Sequence, residues 1–353
     1  MAKRKKIHAA WIWIFSLSTG CLAIALILGS TCRDSFHKGF VLSLFGETED
    51  YTCMDAIRDL VDLGASHVSF MILHYQEDEF SSQQFPADDV ALPEQRIRQL
   101  IQTAKECGLR VLIMPTIFLR NPGEGAWRGT IQPEDPEAWM DSYRRLCLGY
   151  AKLAQEEHAD YFCIGSELTS MEQYTGFWRD LIQRTRAVFS GRLLYSANWN
   201  GLDGIGFWED LDYAGLNGYF NLNPKKRPDT DLETVSGVWR WNIPRLSEWQ
   251  KKTGKKLIFT EVGYRSVRGA LQQPWNYHLK GEAAPEEQAR GYRAFIGAWD
   301  GIDFLRGVYF YDWSGTGGLQ DTDYTPKGKP AENIVREWFK TRSGRIPITV
   351  LDF

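Results

Sequence analysis

Apolar residues in this chain gather into short, nearly continuous runs, separated by stretches where they recur every three or four positions. Eight runs are legible, at 40–45, 67–75, 110–119, 161–165, 193–199, 213–220, 257–261 and 307–313. Runs this short and this uniformly apolar predict strands covered on both faces, as in a parallel sheet. Between them, helical spacing predicts helices over 53–63, 93–107, 136–158, 173–189, 232–252, 286–299 and 331–339. Only the connection after the fifth run is short, with about one helical turn at 207–211. Gly64, Gly108, Gly254 and Gly301 each stand between a helix and the next strand, where a left-handed cap favours glycine. The alternation predicts an α/β fold, a (β/α)8 TIM barrel.

In such barrels the functional groups sit at the C-terminal ends of the strands. Two runs end in a single glutamate followed by loop: Ile164-Gly165-Ser166-Glu167-Leu168 and Ile258-Phe259-Thr260-Glu261-Val262-Gly263-Tyr264. A carboxylate closing a buried strand is costly unless it is hydrogen-bonded or functional. Cleaving a glycosidic bond needs two of them, a proton donor for the leaving oxygen and a partner for the developing oxocarbenium centre. The alternative is a pair of ordinary loop-side glutamates. Against it, hydrophobicity alone placed the strands, and the carboxylates then fell on the functional face.

Other strand ends carry His74 and Tyr75, Asn198 and Trp199, Asn217 and Tyr219, Tyr264 and Arg265, and Asp312 and Trp313. Sugars present apolar CH faces to aromatic rings and hydroxyls to amides. This predicts Trp199, Trp275 and Trp313 as stacking platforms and Asn198 and Asn217 as readers of hydroxyls, with Tyr219 and Tyr264 completing the substrate-binding set. Arg265 is placed either to keep Glu261 ionised or to serve the surface. Trp139, Trp178, Trp239, Trp241 and Trp299 fall on helices and are expected to pack the outer layer.

These motifs, with Tyr195-Ser196-Ala197-Asn198-Trp199, Leu216-Asn217-Gly218-Tyr219 and Tyr309-Phe310-Tyr311-Asp312-Trp313, resemble those of clan A glycoside hydrolases, and more narrowly glycoside hydrolase family 113, over about residues 39–339. The resemblance implies a retaining glycoside hydrolase of β-1,4-mannanase type. It makes Glu167 the general acid/base and Glu261 the nucleophile, with Tyr219 orienting the nucleophile. Many clan members place Asn directly before the acid/base; this chain has Ser166, whose shorter side chain puts the usual contact to the sugar 2-hydroxyl in question. Two other readings fit the same residues: a hydrolase of cell-wall glycan, and a barrel that binds glycans without cleaving them.

The N-terminus is a separate signal. Lys3, Arg4, Lys5 and Lys6 precede an uncharged apolar stretch over 9–28. That pattern predicts a signal anchor or signal peptide at 1–32, with residues 33–353 forming the barrel outside the cytoplasm. The residues before Cys32 lack the leucine of a lipobox, leaving a lipoprotein as the lesser alternative. At 353 residues the chain suits one barrel and needs no second domain. Four of its 41 Lys and Arg residues precede residue 33 and none of its 45 Asp and Glu do, so the remainder carries 37 minus 45, or −8. That balance argues against a nucleic-acid partner. Neither the six cysteines nor the six histidines show metal-ligand spacing, so no metal or other cofactor is expected.

Overall fold

The computed structural model describes residues 35–44, 47, 50–227 and 230–341. Eight parallel strands form the barrel: β1 (His37–Ser43), β2 (His67–Gln76), β4 (Arg110–Leu119), β5 (Tyr161–Ser166), β6 (Arg192–Asn198), β7 (Tyr213–Asn217), β8 (Leu257–Val262) and β9 (Leu305–Phe310). β1 pairs with both β2 and β9, which closes the sheet. A ninth strand, β3 (Gln84–Pro86), adds antiparallel to the end of β2. Three residues ending in proline carry too little periodicity to be read as a strand from sequence. Its Gln84 donates to Gln76 Oε1 at 3.1 Å, which Trp139 Nε1 also reaches at 2.7 Å.

Helices cover the barrel as the spacing predicts: α1 (Cys53–Leu63), α2 (Glu94–Glu106), α3 (Pro136–Glu156), α4 (Thr175–Val188), α5 (Leu232–Thr253), α6 (Pro285–Trp299) and α7 (Pro330–Lys340). The short connection after β6 holds two single 3-10 turns, Leu202–Gly204 and Trp208–Asp210. Thr52 and Asp55 form a reciprocal capping box at the start of α1, and Gly64 ends it at φ 92°. Trp139, Trp178, Trp239 and Trp299 are fully buried against the barrel, whereas Trp241 is 75% exposed.

The barrel interior is packed, with Val41, Met71, Leu112, Met114, Cys163, Leu194 and Ile258 in its apolar centre. Toward the C-terminal end it turns polar. Ser196 Oγ and Thr260 Oγ1 donate to Asn217 Oδ1 at 2.8 and 3.0 Å, giving the mouth of the barrel a hydrogen-bonded floor.

Cys53, Cys147 and Cys163 are buried free thiols; burial pushes those of Cys53 and Cys163 up to about 12. Cys107 is exposed and caps the C-terminus of α2, just before β4 begins. No helix among the described residues is long and apolar enough to cross a membrane. The expected signal or anchor at 1–32 lies outside the described residues.

Candidate active site

Both glutamates lie just past a one-residue irregularity in their strand. On β5, Cys163 pairs with Leu194 and Ser166 with Ser196, so three residues span two on the partner. On β8, Leu216 pairs with Phe259 but Asn217 pairs with Glu261. A bulge breaks the in–out alternation and re-aims the side chains beyond it. On β8 the result is that Thr260, bonded to the floor, and its neighbour Glu261, aimed into the mouth, both face inward. On β5 the bulge turns Gly165 outward, where a Cβ would press on Tyr195, Trp178 and Tyr143 of the outer layer, and turns Ser166 inward.

Glu167 lies one residue beyond β5 with φ 53°. Its N–H donates to the Ser196 carbonyl at 2.8 Å, and the next N–H, of Leu168, donates to the Tyr195 hydroxyl at 3.0 Å. That hydroxyl in turn donates to Glu172 at 2.8 Å. The left-handed conformation, unusual for a residue with a side chain, is thus clamped from β6. The Glu167 carboxylate accepts a charge-assisted bond from Arg128 Nη2 at 2.5 Å.

Glu261 is 3% exposed. Its Oε2 accepts from the Tyr219 hydroxyl at 2.9 Å, and among the described residues its buried Oε1 meets no donor in good hydrogen-bonding geometry. Burial pushes this carboxyl up to about 7; the Arg128 guanidinium opposes that, the Glu167 charge reinforces it, and Tyr219 with the Asn217 amide pulls it back down. Arg128 therefore acts on both glutamates. It stands on a 3-10 turn, Arg128–Thr130, in the loop after β4, with its guanidinium over the Phe118 ring at 5.3 Å.

Glu167, Glu261 and Arg128 open into a cleft of about 770 Å3 at the C-terminal face. Asn198, Trp199, Tyr219 and Trp275 line it, as the sequence predicts. Trp127, Tyr311 and Tyr324 line it as well, and sequence reasoning missed them together with Arg128. Tyr311 lies within the expected eighth run, where nothing distinguishes it from its neighbours. Trp127 and Arg128 lie in a loop rich in glycine and proline, where neither periodicity nor a strand end marks a functional residue.

Three expectations are corrected, and an open one is decided. Asn217 is fully buried in the floor, its amide shared among Ser196, Thr260 and Ser166, so it supports the site from below and reads no hydroxyl. Tyr264 is also fully buried; its ring packs on Gly291 and edge-on to Tyr292 at 5.8 Å, tying the end of β8 to α6. Trp313 is no platform. It packs edge-on against Phe40 at 5.2 Å and donates Nε1 to the Tyr51 hydroxyl at 3.0 Å, and Tyr311 is the residue of that motif in the cleft. Of the two readings of Arg265, the structure favours the one away from Glu261: it binds Asp323 at 2.7 Å and the carbonyls of Tyr277 and Leu279, bracing loops, and the cation acting on Glu261 is Arg128. These side chains follow the path of the chain beyond the strands, which alternation does not fix.

Among the described residues, no group of His, Cys, Asp and Glu could hold a metal ion. The sequence profile of glycoside hydrolase family 113 matches residues 41–329, nearly the whole barrel. The chain belongs to glycoside hydrolase family 113. It is therefore a glycoside hydrolase, with a clan A barrel. The family 113 β-mannanase AaManA of Alicyclobacillus acidocaldarius, solved in complex with ManMIm, is 26% identical with a TM-score of 0.77, over 86% of this chain and 97% of that one. A family 113 β-1,4-mannanase solved as a complex is 23% identical with a TM-score of 0.77, over 87% and 100% of the two chains. A β-D-glucuronidase of Dictyoglomus thermophilum shares the fold at 16% identity and a TM-score of 0.60, over 88% of this chain and 51% of that one. No curated protein matches the chain in sequence.

Proposed function

We propose that this family 113 enzyme is a retaining β-1,4-mannanase acting by double displacement. The observation that carries the reading is the pair of re-aimed glutamates at the barrel mouth, both under the influence of one guanidinium. Glu261 attacks the anomeric carbon while Glu167 protonates the departing oxygen, giving a glycosyl-enzyme. Glu167 then takes a proton from water, the water oxygen attacks the anomeric carbon, and Glu261 leaves with the configuration retained. Tyr219 and Arg128 favour the ionised Glu261 that attack requires. Arg128 holds Glu167, so an incoming glycosidic oxygen takes the place of the guanidinium on that carboxyl.

Similarity to two family 113 β-mannanases supports mannan as the polymer. The basic and apolar pattern of residues 1–32 supports a barrel exported and held at a membrane, or secreted if that segment is cleaved.

The test is to incubate the protein and its Glu261→Ala variant with β-mannan, glucomannan, cellulose, xylan and peptidoglycan. Oligosaccharides should be released from mannans by the parent alone, with β-anomers appearing first in the proton NMR spectrum. Release from another polymer only would keep the mechanism and change the substrate. Equal release by the variant would remove Glu261 from the chemistry.

A further inference from the structure

Double displacement by Glu167 and Glu261 leaves one buried carboxyl of the cleft unused. Asp312 lines the cavity, yet it is 8% exposed, and burial pushes it up to about 7 against the pull of the Ser314 hydroxyl. Its Oδ1 accepts from Ser314 Oγ at 3.1 Å. Among the described residues no Lys or Arg lies within ion-pair distance of it; Lys329, which feels its charge, makes its ion pair with Asp321 instead, at 2.8 Å. Arg265 binds Asp323 at 2.7 Å, and Lys327 binds Asp59 at 2.7 Å. A carboxyl so placed destabilises the fold, which makes it a candidate for a ligand contact.

Its position relative to Glu261 says which contact. Tyr311 and Tyr324, edge to face at 5.2 Å, both line the cleft, and both feel the charge of Glu261 and that of Asp312. Tyr219, which donates to Glu261 Oε2 at 2.9 Å, packs edge-on to Tyr311 at 6.4 Å, and Tyr311 directly precedes Asp312, so a run of aromatic rings links one carboxyl to the other. Asp312 is also fixed in place: Gly263 lacks the side chain that would overlap the Tyr311 carbonyl, so the Tyr311–Asp312 peptide lies directly against the end of β8. A sugar over the tyrosines with its anomeric carbon at Glu261 would turn its far edge, and the hydroxyls there, toward Asp312.

Resting on the glycosidase reading, we propose that Asp312 is a substrate-binding residue: it accepts hydrogen bonds from hydroxyls on the edge of the sugar ring remote from the cleaved bond, while that ring lies against Tyr311 and Tyr324. It thereby selects a neutral hexose with free hydroxyls on that edge.

The experiment compares the protein with Asp312→Ala and Asp312→Asn in steady-state hydrolysis of mannohexaose, or of whichever glycan the parent cleaves, alongside thermal unfolding. The Ala variant should raise KM by about 10- to 100-fold, the effect of losing hydrogen bonds to a charged group, with kcat changed less. Asn should fall between the two, and its Tm should equal or exceed the parent's because a buried, unpaired carboxyl has been removed. KM within twofold of the parent in both variants would overturn the proposal, as would a loss of kcat that tracks a fall in Tm at constant KM. A parent active on another polymer would replace mannan while leaving Asp312 testable, and a parent inactive on every glycan would overturn both readings.

Discussion

At the residue scale the site rests on how one cation is shared. Arg128 lowers the Glu261 carboxyl against the burial that raises it. The acidic limb of kcat/KM should fall near pH 7, as an apparent value shared by the two glutamates, since the attack proposed for Glu261 needs its carboxyl ionised. Replacing Arg128 with Met removes the lowering influence, so that limb should move to higher pH, and rates measured across pH 5 to 9 would reveal it. A limb that stays in place while kcat falls would reduce Arg128 to a packing role. The two glutamates were legible because each ends an apolar run, where sequence ties a side chain to the functional face. Arg128 was not, since it reaches the site from a loop whose course no periodicity encodes. Tyr264 and Trp313 show the same limit from the other side. Both have the chemistry of a sugar platform, and the chain beyond each strand carries both into the packing layer.

At the element scale, strands and helices were readable because burial on both faces gives strands an apolar composition that amphipathic helices lack. The bulges in β5 and β8 were invisible for a related reason. Every residue there is buried, so hydropathy holds no alternation whose interruption could be noticed. Yet the bulge in β8 is what lets Thr260 serve the floor and Glu261 the cleft from adjacent positions. Gly263 is the matching device after the strand. Its replacement by Ala should cost about 1–3 kcal/mol, because the added methyl forces the Tyr311 carbonyl to move. Thermal unfolding would measure that cost. Hydrolysis should weaken as well, because Tyr311 is the wall that moves.

At the scale of the whole molecule, Glu172, Glu261 and Asp312 are buried carboxyls each raised to about 7, chiefly by burial. Between about pH 4 and 7 the folded protein keeps protons that the unfolded chain has released. Their contribution to stability is therefore complete below that window and lost as pH rises through 7, at about 1.4 kcal/mol for every pH unit by which burial raises a carboxyl. Glu172→Gln can still accept the Tyr195 hydroxyl, so it should raise Tm more at pH 8 than at pH 4, and paired melting curves would check this. A barrel also has two ends, and only one of them holds the cleft. The exposed Cys107 caps α2 where β4 begins, at the opposite end, while the thiols of Cys53, Cys147 and Cys163 are enclosed. With Cys21 and Cys32 replaced by serine, a maleimide would find one sulfur to react with, and the enzyme could be tethered to a bead or an electrode with its mouth turned toward the polymer.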